Sequence, residues 1–153
     1  MPVFLIRHAH AGNRSSWRGE DVERPLSERG RDQARGLIDL LSDRDITLIT
    51  SSPAQRCIET VEPLAQALGL RVELDKRLAE GSALRPALDV AMDAGAGHVL
   101  CAHGDLIPAL MQRLVNQGMR ASAPQRCQKG SVWEIELDGG RPVKARYRPP
   151  PAT

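Results

Sequence analysis

Aromatic residues are scarce in this sequence of 153 residues and make up only 3% of it. Proteins that bind single-stranded nucleic acid stack the bases on aromatic side chains. This sequence has too few aromatic residues to form such a stacking surface. The charge is also nearly balanced, at a formal net charge of +2. Such a small excess provides no general attraction to nucleic acid or to an anionic membrane. We therefore expect neither as a partner.

Cysteine is rare as well, and its three residues are Cys57, Cys101 and Cys127. An odd number without short, regular spacing does not indicate a disulfide framework. Reduced thiols are typical of cytoplasmic proteins. No apolar run approaches the roughly 20 residues of a membrane span, and the first residues lack the pattern of a secretory signal. The sequence therefore predicts a cytoplasmic protein.

Short apolar runs alternate with segments in which apolar residues recur at helical spacing. Strands are predicted over residues 3–7, 46–50, 71–74 and 98–102, helices over 27–41, 53–68, 84–93 and 105–116, and a hairpin over 132–137 and 142–147. This alternation predicts an α/β fold, namely a three-layer α/β/α sandwich with a mostly parallel central sheet. We expect a single domain over residues 1–148 and a disordered tail over 149–153.

Basic residues lie at the ends of the predicted strands or just after them. Arg7 and His8 end the first strand, Arg56 lies in the first turn of the helix after the second strand, and His103 ends the fourth strand. The carboxyl ends of parallel strands meet at one edge of a sheet. Guanidinium groups and helix N-termini bind phosphate, so we predict a phosphate site there. The histidines lack neighbouring carboxylates or cysteines at ligand spacing, so no metal or other cofactor is expected.

Four segments resemble the histidine phosphatase (phosphoglycerate mutase-like) superfamily. They are LIRHAHAG at 5–12, PLSERGRDQA at 25–34, SSPAQRCIET at 51–60 and LCAHGD at 100–105. The short chain is similar to the SixA branch of phosphohistidine phosphatases. The segment KGSVWEIELDGG at 129–140 is similar to the phosphatase-like domain fused to some actinobacterial nudix hydrolases, although this sequence contains no nudix motif. The resemblance implies the phosphoglycerate mutase-like fold.

The resemblance also implies a role for each polar residue at the predicted sheet edge. His8 corresponds to the nucleophile that becomes phosphohistidine, Arg7 and Arg56 to the arginines that bind the phosphoryl oxygens, and His103 to the histidine that donates to them. Glu80, in LAEG at 78–81, corresponds to the family's acid. A nucleophilic imidazole must be uncharged, and we expect the charges of Arg7 and Arg56 to lower the pKa of His8.

Two interpretations remain open for several other residues. His10 either touches substrate at the pocket rim, which we favour, or is a solvated loop histidine. Arg14, Arg18 and Arg24, in the loop over residues 9–25, either clamp an anionic substrate or solvate the loop. Glu80 either protonates the leaving group or is an exposed loop carboxylate. We favour the proton donor because an alkoxide leaving group requires a proton.

Structural explanations are sufficient for four other residues with reactive side chains. His98 begins a predicted strand, and Cys101 is expected to be an inert thiol inside an apolar strand. Ser51 and Ser52 precede Pro53 and are predicted to cap the second helix.

The sequence thus predicts a phosphatase that forms phosphohistidine on His8 and then hydrolyses it. The substrate would be a phosphohistidine protein or a small phosphomonoester. The alternative is a phosphate- or nucleotide-binding module without catalysis, which the complete set of Arg7, His8, Arg56 and His103 disfavours. A mutase must exclude water from its site, and little besides the 9–25 loop could close this one.

Overall fold

A six-stranded sheet forms the centre of the protein. The computed structural model describes all 153 residues. Its strands are β1 (Pro2–Arg7), β2 (Leu48–Ser51), β3 (Val72–Leu74), β4 (His98–Ala102), β5 (Val132–Asp138) and β6 (Arg141–Arg148). They lie in the order β3-β2-β4-β1-β5-β6. The first four strands are parallel, whereas β5 pairs antiparallel with β1 and β6. The predicted mostly parallel sheet is confirmed.

Four helices cover the two faces of the sheet. They are α1 (Glu28–Leu41), α2 (Gln55–Leu68), α3 (Leu84–Asp93) and α4 (Leu106–Asn116). Successive strand residues point to opposite faces, so Val3 and Leu5 of β1 pack with α3 and α4, while Phe4 and Ile6 pack with α1 and α2. The three-layer α/β/α sandwich is therefore confirmed. None of the helices has both the length and the apolar character needed to cross a lipid bilayer.

The start of α1 fixes the path of the loop that follows β1. Ser27 is the N-cap, as predicted, and its hydroxyl accepts a hydrogen bond from the backbone N–H of Gly30 at 3.1 Å. A Cβ atom at Gly30 would collide with the carbonyl oxygen of His10. Glycine at position 30 thus allows the loop after β1 to lie directly against the helix backbone.

The start of α2 differs from the prediction. Ser51 is the last residue of β2, and α2 begins at Gln55 after Ala54, with no side-chain cap. The hydroxyl of Ser51 donates to the carbonyl of Ser52 at 2.8 Å, and the hydroxyl of Ser52 lies 2.8 Å from Nε2 of His103. The prediction that both serines cap α2 is therefore wrong, because each hydroxyl has a closer partner outside the helix.

The chain ends with the predicted hairpin. Gly139 and Gly140 join β5 to β6, and both have positive φ angles, 58° and 82°, a conformation that glycine adopts without strain. After β6, Pro151 lies against Gly36 of α1, where a side chain would collide with the proline. The single domain over 1–148 and the disorder of residues 149–153 stay predictions.

Candidate active site

The two predicted site histidines meet at the carboxyl ends of adjacent strands. β1 and β4 are paired in the register Arg7 to Ala102, so His8 and His103 each follow directly at the same edge. Their ring centroids are 5.5 Å apart in an edge-on arrangement. Arg56 is the second residue of α2 and follows β2, the neighbour of β4. His8, Arg56 and His103 are buried, with exposed fractions of 6%, 1% and 1%.

The hydrogen bonds of His8 determine which of its ring nitrogens can react. Nδ1 lies 2.9 Å from the carbonyl oxygen of Ala9. A carbonyl oxygen only accepts, so Nδ1 carries the hydrogen and Nε2 carries the lone pair. The N–H of Ala9 donates to Oγ1 of Thr60 at 2.9 Å, and that hydroxyl donates to the carbonyl of Arg56 at 2.7 Å. Ala9, which orients the imidazole, is thus hydrogen-bonded to α2 through Thr60.

The pKa of His8 is lowered to about 3. Burial is the largest cause, because it disfavours the charged imidazolium. His103, Arg56 and Arg7 lower the pKa further, while the hydrogen bond to Ala9 acts in the opposite direction. The expected direction is confirmed, but burial contributes more than the two guanidinium groups. The imidazole is therefore uncharged at neutral pH, as a nucleophile requires.

Arg7 is held by backbone on two sides. One terminal nitrogen, NH1, donates to the carbonyl of Cys127 at 2.7 Å. Its guanidinium also lies flat against Gly104, where a Cβ atom would stand only 2.6 Å from the Cζ atom of Arg7. Glycine after His103 is therefore needed for this arginine to occupy its place. The Nε atom of Arg7 is buried and has no hydrogen-bond partner.

Arg56 is surrounded by the loop over residues 9–25 and by Glu80. NH1 donates to the carbonyl of Asp21 at 2.9 Å, and NH2 lies 3.2 Å from Oδ2 of Asp21 and 3.4 Å from Oε1 of Glu80. Its Nε atom is also buried without a partner. Both terminal nitrogens are thus occupied by protein, whereas Nε is free for a ligand.

The ring of His103 contributes a third free donor. Oγ of Ser52 accepts from the N–H of Ala54 at 3.3 Å and lies 2.8 Å from Nε2 of His103. When the hydroxyl hydrogen of Ser52 is donated to Nε2, Nδ1 is the ring atom that bears hydrogen. Nδ1 of His103 is buried and has no partner.

The unpaired groups Arg7 Nε, Arg56 Nε and His103 Nδ1 all belong to residues around His8. Buried polar groups nearly always have hydrogen-bond partners, so each exception requires an explanation. Donors without acceptors, placed around an unprotonated nitrogen, fit an anion with several oxygens. Two other unpaired atoms, His98 Nδ1 and Arg148 Nε, belong to residues outside this group.

A cavity of about 170 Å³ is lined by Arg56 and His103 but not by Arg7 or His8. Its lining consists of Asp21, Val22, Ser52, Pro53, Ala54, Arg56, Ala79, Glu80 and His103. A larger groove of about 350 Å³ lies between α1 and α2, but none of the predicted site residues lines it. The smaller cavity is therefore the one associated with the chemistry. No cluster of three or more His, Cys, Asp or Glu side chains has the arrangement of a metal site.

Glu80 and Arg14 are brought to the cavity together. Oε2 of Glu80 is 2.9 Å from NH2 of Arg14, and Oε1 is 3.4 Å from NH2 of Arg56. Glu80 is thus neither isolated nor simply solvated, since it joins the 9–25 loop to a buried pocket arginine. The carboxylate of Glu80 therefore forms ion pairs with both Arg14 and Arg56.

Asp21 is a site residue that the sequence interpretation missed. Its Oδ1 is 3.2 Å from Nε of Arg14 and 3.1 Å from Nε of Arg24, and its Oδ2 contacts Arg56. Burial alone would raise the pKa of Asp21, but the hydrogen bond from Arg24 and the charges of Arg56 and Arg14 outweigh it and lower the pKa. The sequence signal was weak, because Asp21 is one acidic residue among several in this loop.

The remaining predicted rim residues differ in their surroundings. Arg24 is buried, and its NH1 donates to the carbonyl of Ala11 at 2.6 Å, so it braces the loop from inside. Nδ1 of His10 lies 2.6 Å from Oγ of Ser27 at the start of α1. Arg18 is exposed and makes no side-chain hydrogen bond. Substrate contacts of His10, Arg14 and Arg24 stay predictions.

The residues assigned structural roles lie in the core. Nε2 of His98 is 2.7 Å from Oγ1 of Thr50, and His98 is 2% exposed. Cys101 is fully buried, and burial raises the pKa of its thiol well above the usual value. Neither residue faces the cavity beside His103.

An uncharged histidine flanked by two arginines and a second histidine, at the carboxyl edge of such a sheet, is the arrangement of a histidine phosphatase site. The chain belongs to the histidine phosphatase superfamily, since the model of that superfamily (branch 1) matches residues 3–85.

The chain is also similar to individual proteins. It is 33% identical over 156 residues to the 8-oxo-(d)GTP phosphatase of Mycolicibacterium smegmatis, covering 97% of this chain and 48% of that protein. This chain therefore spans about half the length of that relative.

Among solved structures, the putative phosphohistidine phosphatase SixA from Agrobacterium tumefaciens aligns with a TM-score of 0.75 at 23% identity, covering 99% and 98% of the two chains. The protein histidine phosphatase SixA complexed with tungstate aligns with a TM-score of 0.71 at 21% identity, covering 99% and 97%. These likenesses confirm the phosphoglycerate mutase-like fold.

Proposed function

We propose that this protein is a phosphatase that transfers a phosphoryl group from its substrate to Nε2 of His8 and then hydrolyses the phosphohistidine. One observation carries the proposal: the unpaired groups Arg7 Nε, Arg56 Nε and His103 Nδ1 belong to the three residues whose charges act on His8, and the free ring nitrogen of His8 is Nε2. A phosphoryl group in transfer has three equatorial oxygens that accumulate charge, and fixed donors stabilise that charge.

In the first step, the lone pair on Nε2 of His8 forms a bond to phosphorus while the bond from phosphorus to the leaving oxygen breaks. The imidazole becomes positively charged as this bond forms. The hydrogen bond from Nδ1 to the carbonyl of Ala9, 2.9 Å long, stabilises that charge without any movement of the ring. In the second step, water attacks the same phosphorus and His8 regains its lone pair.

Glu80 moves the protons that these two steps require. It protonates the leaving oxygen in the first step and takes a proton from the attacking water in the second, so its protonation state is restored after each turnover. Its distances of 2.9 Å to Arg14 and 3.4 Å to Arg56 place the carboxyl beside the cavity. The imidazole released from a phosphohistidine substrate is a good leaving group and needs little proton transfer from Glu80. An alkoxide leaving group needs it.

The substrate we propose is a phosphohistidine protein or a small phosphomonoester. The likeness to SixA supports the former, and the likeness to an 8-oxo-(d)GTP phosphatase supports a small phosphorylated molecule. We place the protein in a reducing compartment such as the cytoplasm, a proposal supported by its three unpaired cysteines.

Replacement of His8 by Gln tests the mechanism. We expect the variant to lose turnover of p-nitrophenyl phosphate and to lose the acid-labile phosphoenzyme that wild-type protein forms on rapid quenching. The matched control is His98→Gln, because His98 lies at the opposite end of β4 and lines no part of the cavity. Undiminished turnover in His8→Gln would refute covalent catalysis. Tight phosphate binding without turnover in the wild type would instead favour the non-catalytic module.

A further inference from the structure

Lys129 lies in the turn before β5, and this turn is hydrogen-bonded to the start of the active site. The N–H of Gly130 donates to the carbonyl oxygens of Arg7 at 3.0 Å and His8 at 3.1 Å. The N–H of Arg7 donates in return to the carbonyl of Ser131 at 3.2 Å. Gly130 has a φ of 84°, which a side chain would strain. The position of Lys129 relative to the nucleophile is therefore fixed by backbone geometry.

The residues before Lys129 are held just as firmly. The carbonyl of Cys127 accepts the 2.7 Å hydrogen bond from NH1 of Arg7. The side chain of Gln33, on α1, packs at Gly130, and its Oε1 accepts from the N–H of His10 at 2.9 Å. The turn thus wraps around Arg7 between the pocket and the predicted rim residue His10.

Lys129 carries a charge that no carboxylate neutralises. It is half-buried, and it forms no ion pair, whereas Arg14, Arg24 and Arg56 each contact Asp21. Burial lowers the pKa of Lys129, and the positive charges of Arg7, Arg24, Arg14 and Arg56 lower it further. A partly desolvated cation among other cations is unfavourable unless an anion binds beside it.

The charges around the pocket indicate how much negative charge that anion carries. The cations here are Arg7, Arg14, Arg24, Arg56 and Lys129, and the carboxylates paired with them are Asp21 and Glu80. Three positive charges are in excess. A phosphoryl dianion balances two of them, and its oxygens are matched by the free donors of Arg7, Arg56 and His103. At least one positive charge remains for a different group, because protonation of Glu80 for its role as an acid increases the excess.

We propose that Lys129 is a specificity-determining residue that binds a second anionic group of the substrate, next to the phosphoryl group that is transferred. This inference rests on the proposed function and specifies which small phosphorylated molecules the protein takes, including phosphoanhydrides. The preferred substrates are small molecules whose leaving group is itself negatively charged, as in a diphosphate. A phosphorylated side chain without a second charge gains nothing from Lys129.

The test compares AMP, whose leaving group is a neutral nucleoside, with ADP, whose leaving group carries a phosphate. We expect Lys129→Met to lower kcat/KM for ADP by about tenfold to a hundredfold, the usual effect of losing a charge-assisted hydrogen bond. For ADP, the loss should appear mainly as a higher KM. The kcat/KM for AMP should change less than threefold. Lys129→Arg should retain most of the ADP activity because it keeps the charge. Lys144→Met, on the exposed side of β6, is the matched control.

Each other outcome overturns the proposal. Equal losses for AMP and ADP would assign Lys129 to the transferred phosphoryl or to folding, and no loss would show that it contacts neither. A wild-type preference for AMP would contradict a second anion site. If wild-type protein forms no phosphoenzyme and hydrolyses nothing, the proposed function fails by itself. Calorimetric binding of ADP and AMP then tests Lys129 separately, and a preference for ADP that Lys129→Met does not reduce refutes the site.

Discussion

Oγ of Ser52 lies 2.8 Å from Nε2 of His103, and this contact selects the ring nitrogen that His103 presents to a ligand. The hydroxyl also accepts from the N–H of Ala54 and has its own hydrogen available to donate to Nε2. Nδ1 of His103 then bears hydrogen and serves as a donor. We therefore propose that Ser52 is a positioning residue that acts on the phosphoryl group through His103.

Replacement of Ser52 by Ala should lower kcat for p-nitrophenyl phosphate about tenfold, because the donor tautomer of His103 loses its support, a hydrogen bond worth on the order of 1 kcal/mol. Ser52→Thr should restore most of the activity, since it keeps the hydroxyl. Ser51→Ala is the control, because that hydroxyl contacts only a backbone carbonyl. A changed pH profile of kcat, seen in Ser52→Ala alone, would distinguish the tautomer effect from a loss of stability. A full loss in Ser52→Thr would contradict it.

The lowered pKa of His8 predicts a dependence of stability on pH. The ordinary value of 6.5 falls to about 3 in the folded protein, so the unfolded chain binds the proton more readily between these values. The free energy of unfolding therefore has its full His8 contribution above pH 6.5 and loses it as the pH falls toward 3. Between pH 7 and pH 5 this loss amounts to about 2 kcal/mol.

Urea unfolding of the wild type and of His8→Gln at both pH values measures this contribution. The wild type should lose about 2 kcal/mol more than the variant between pH 7 and pH 5. The pKa of His98 is also lowered, to about 4, by burial. Protonation of His98 in the unfolded chain destabilises both proteins equally as the pH falls. The difference between the two proteins therefore isolates the contribution of His8. Parallel losses would mean that His8 titrates normally in the folded state.

The role of Glu80 predicts an effect that depends on the leaving group. Glu80→Gln keeps a hydrogen-bond partner for Arg14 but cannot donate or accept the catalytic proton. Loss of general acid catalysis should lower kcat/KM for an alkyl phosphate at least about 100-fold. Hydrolysis of p-nitrophenyl phosphate, whose leaving group needs no proton, should fall less than about tenfold. Equal reductions for both substrates would remove Glu80 from the proton transfer and leave it as an ion-pair partner.

The sequence predicted the central site because its residues are placed by regular structure. Arg7 ends β1, His8 and His103 directly follow the paired strands β1 and β4, and Arg56 lies in the first turn of the helix after β2. Strand periodicity and the parallel topology were therefore sufficient to bring these four residues to one edge.

The residues that the sequence interpretation missed depend on contacts far along the chain. Ser52 was assigned to a helix cap because its local pattern fits one, but its partner His103 is 51 residues away. Asp21 lies in a loop whose path is held by the buried contact of Arg24 with Ala11. The backbone position of Lys129 relative to Arg7 and His8 depends on the hydrogen bonds of Gly130. Local periodicity contains no information about such partners.

The hydrogen bonds from Gly130 to Arg7 and His8 join residues more than 120 positions apart. During translation, Arg7 and His8 leave the ribosome more than 120 residues before Gly130, whose N–H donates to their carbonyl oxygens. β1 also lies between β4 and β5, both of which are translated much later. A nascent chain therefore cannot complete the contacts around Arg7 and His8 until the turn at Gly130 and strand β5 have been translated.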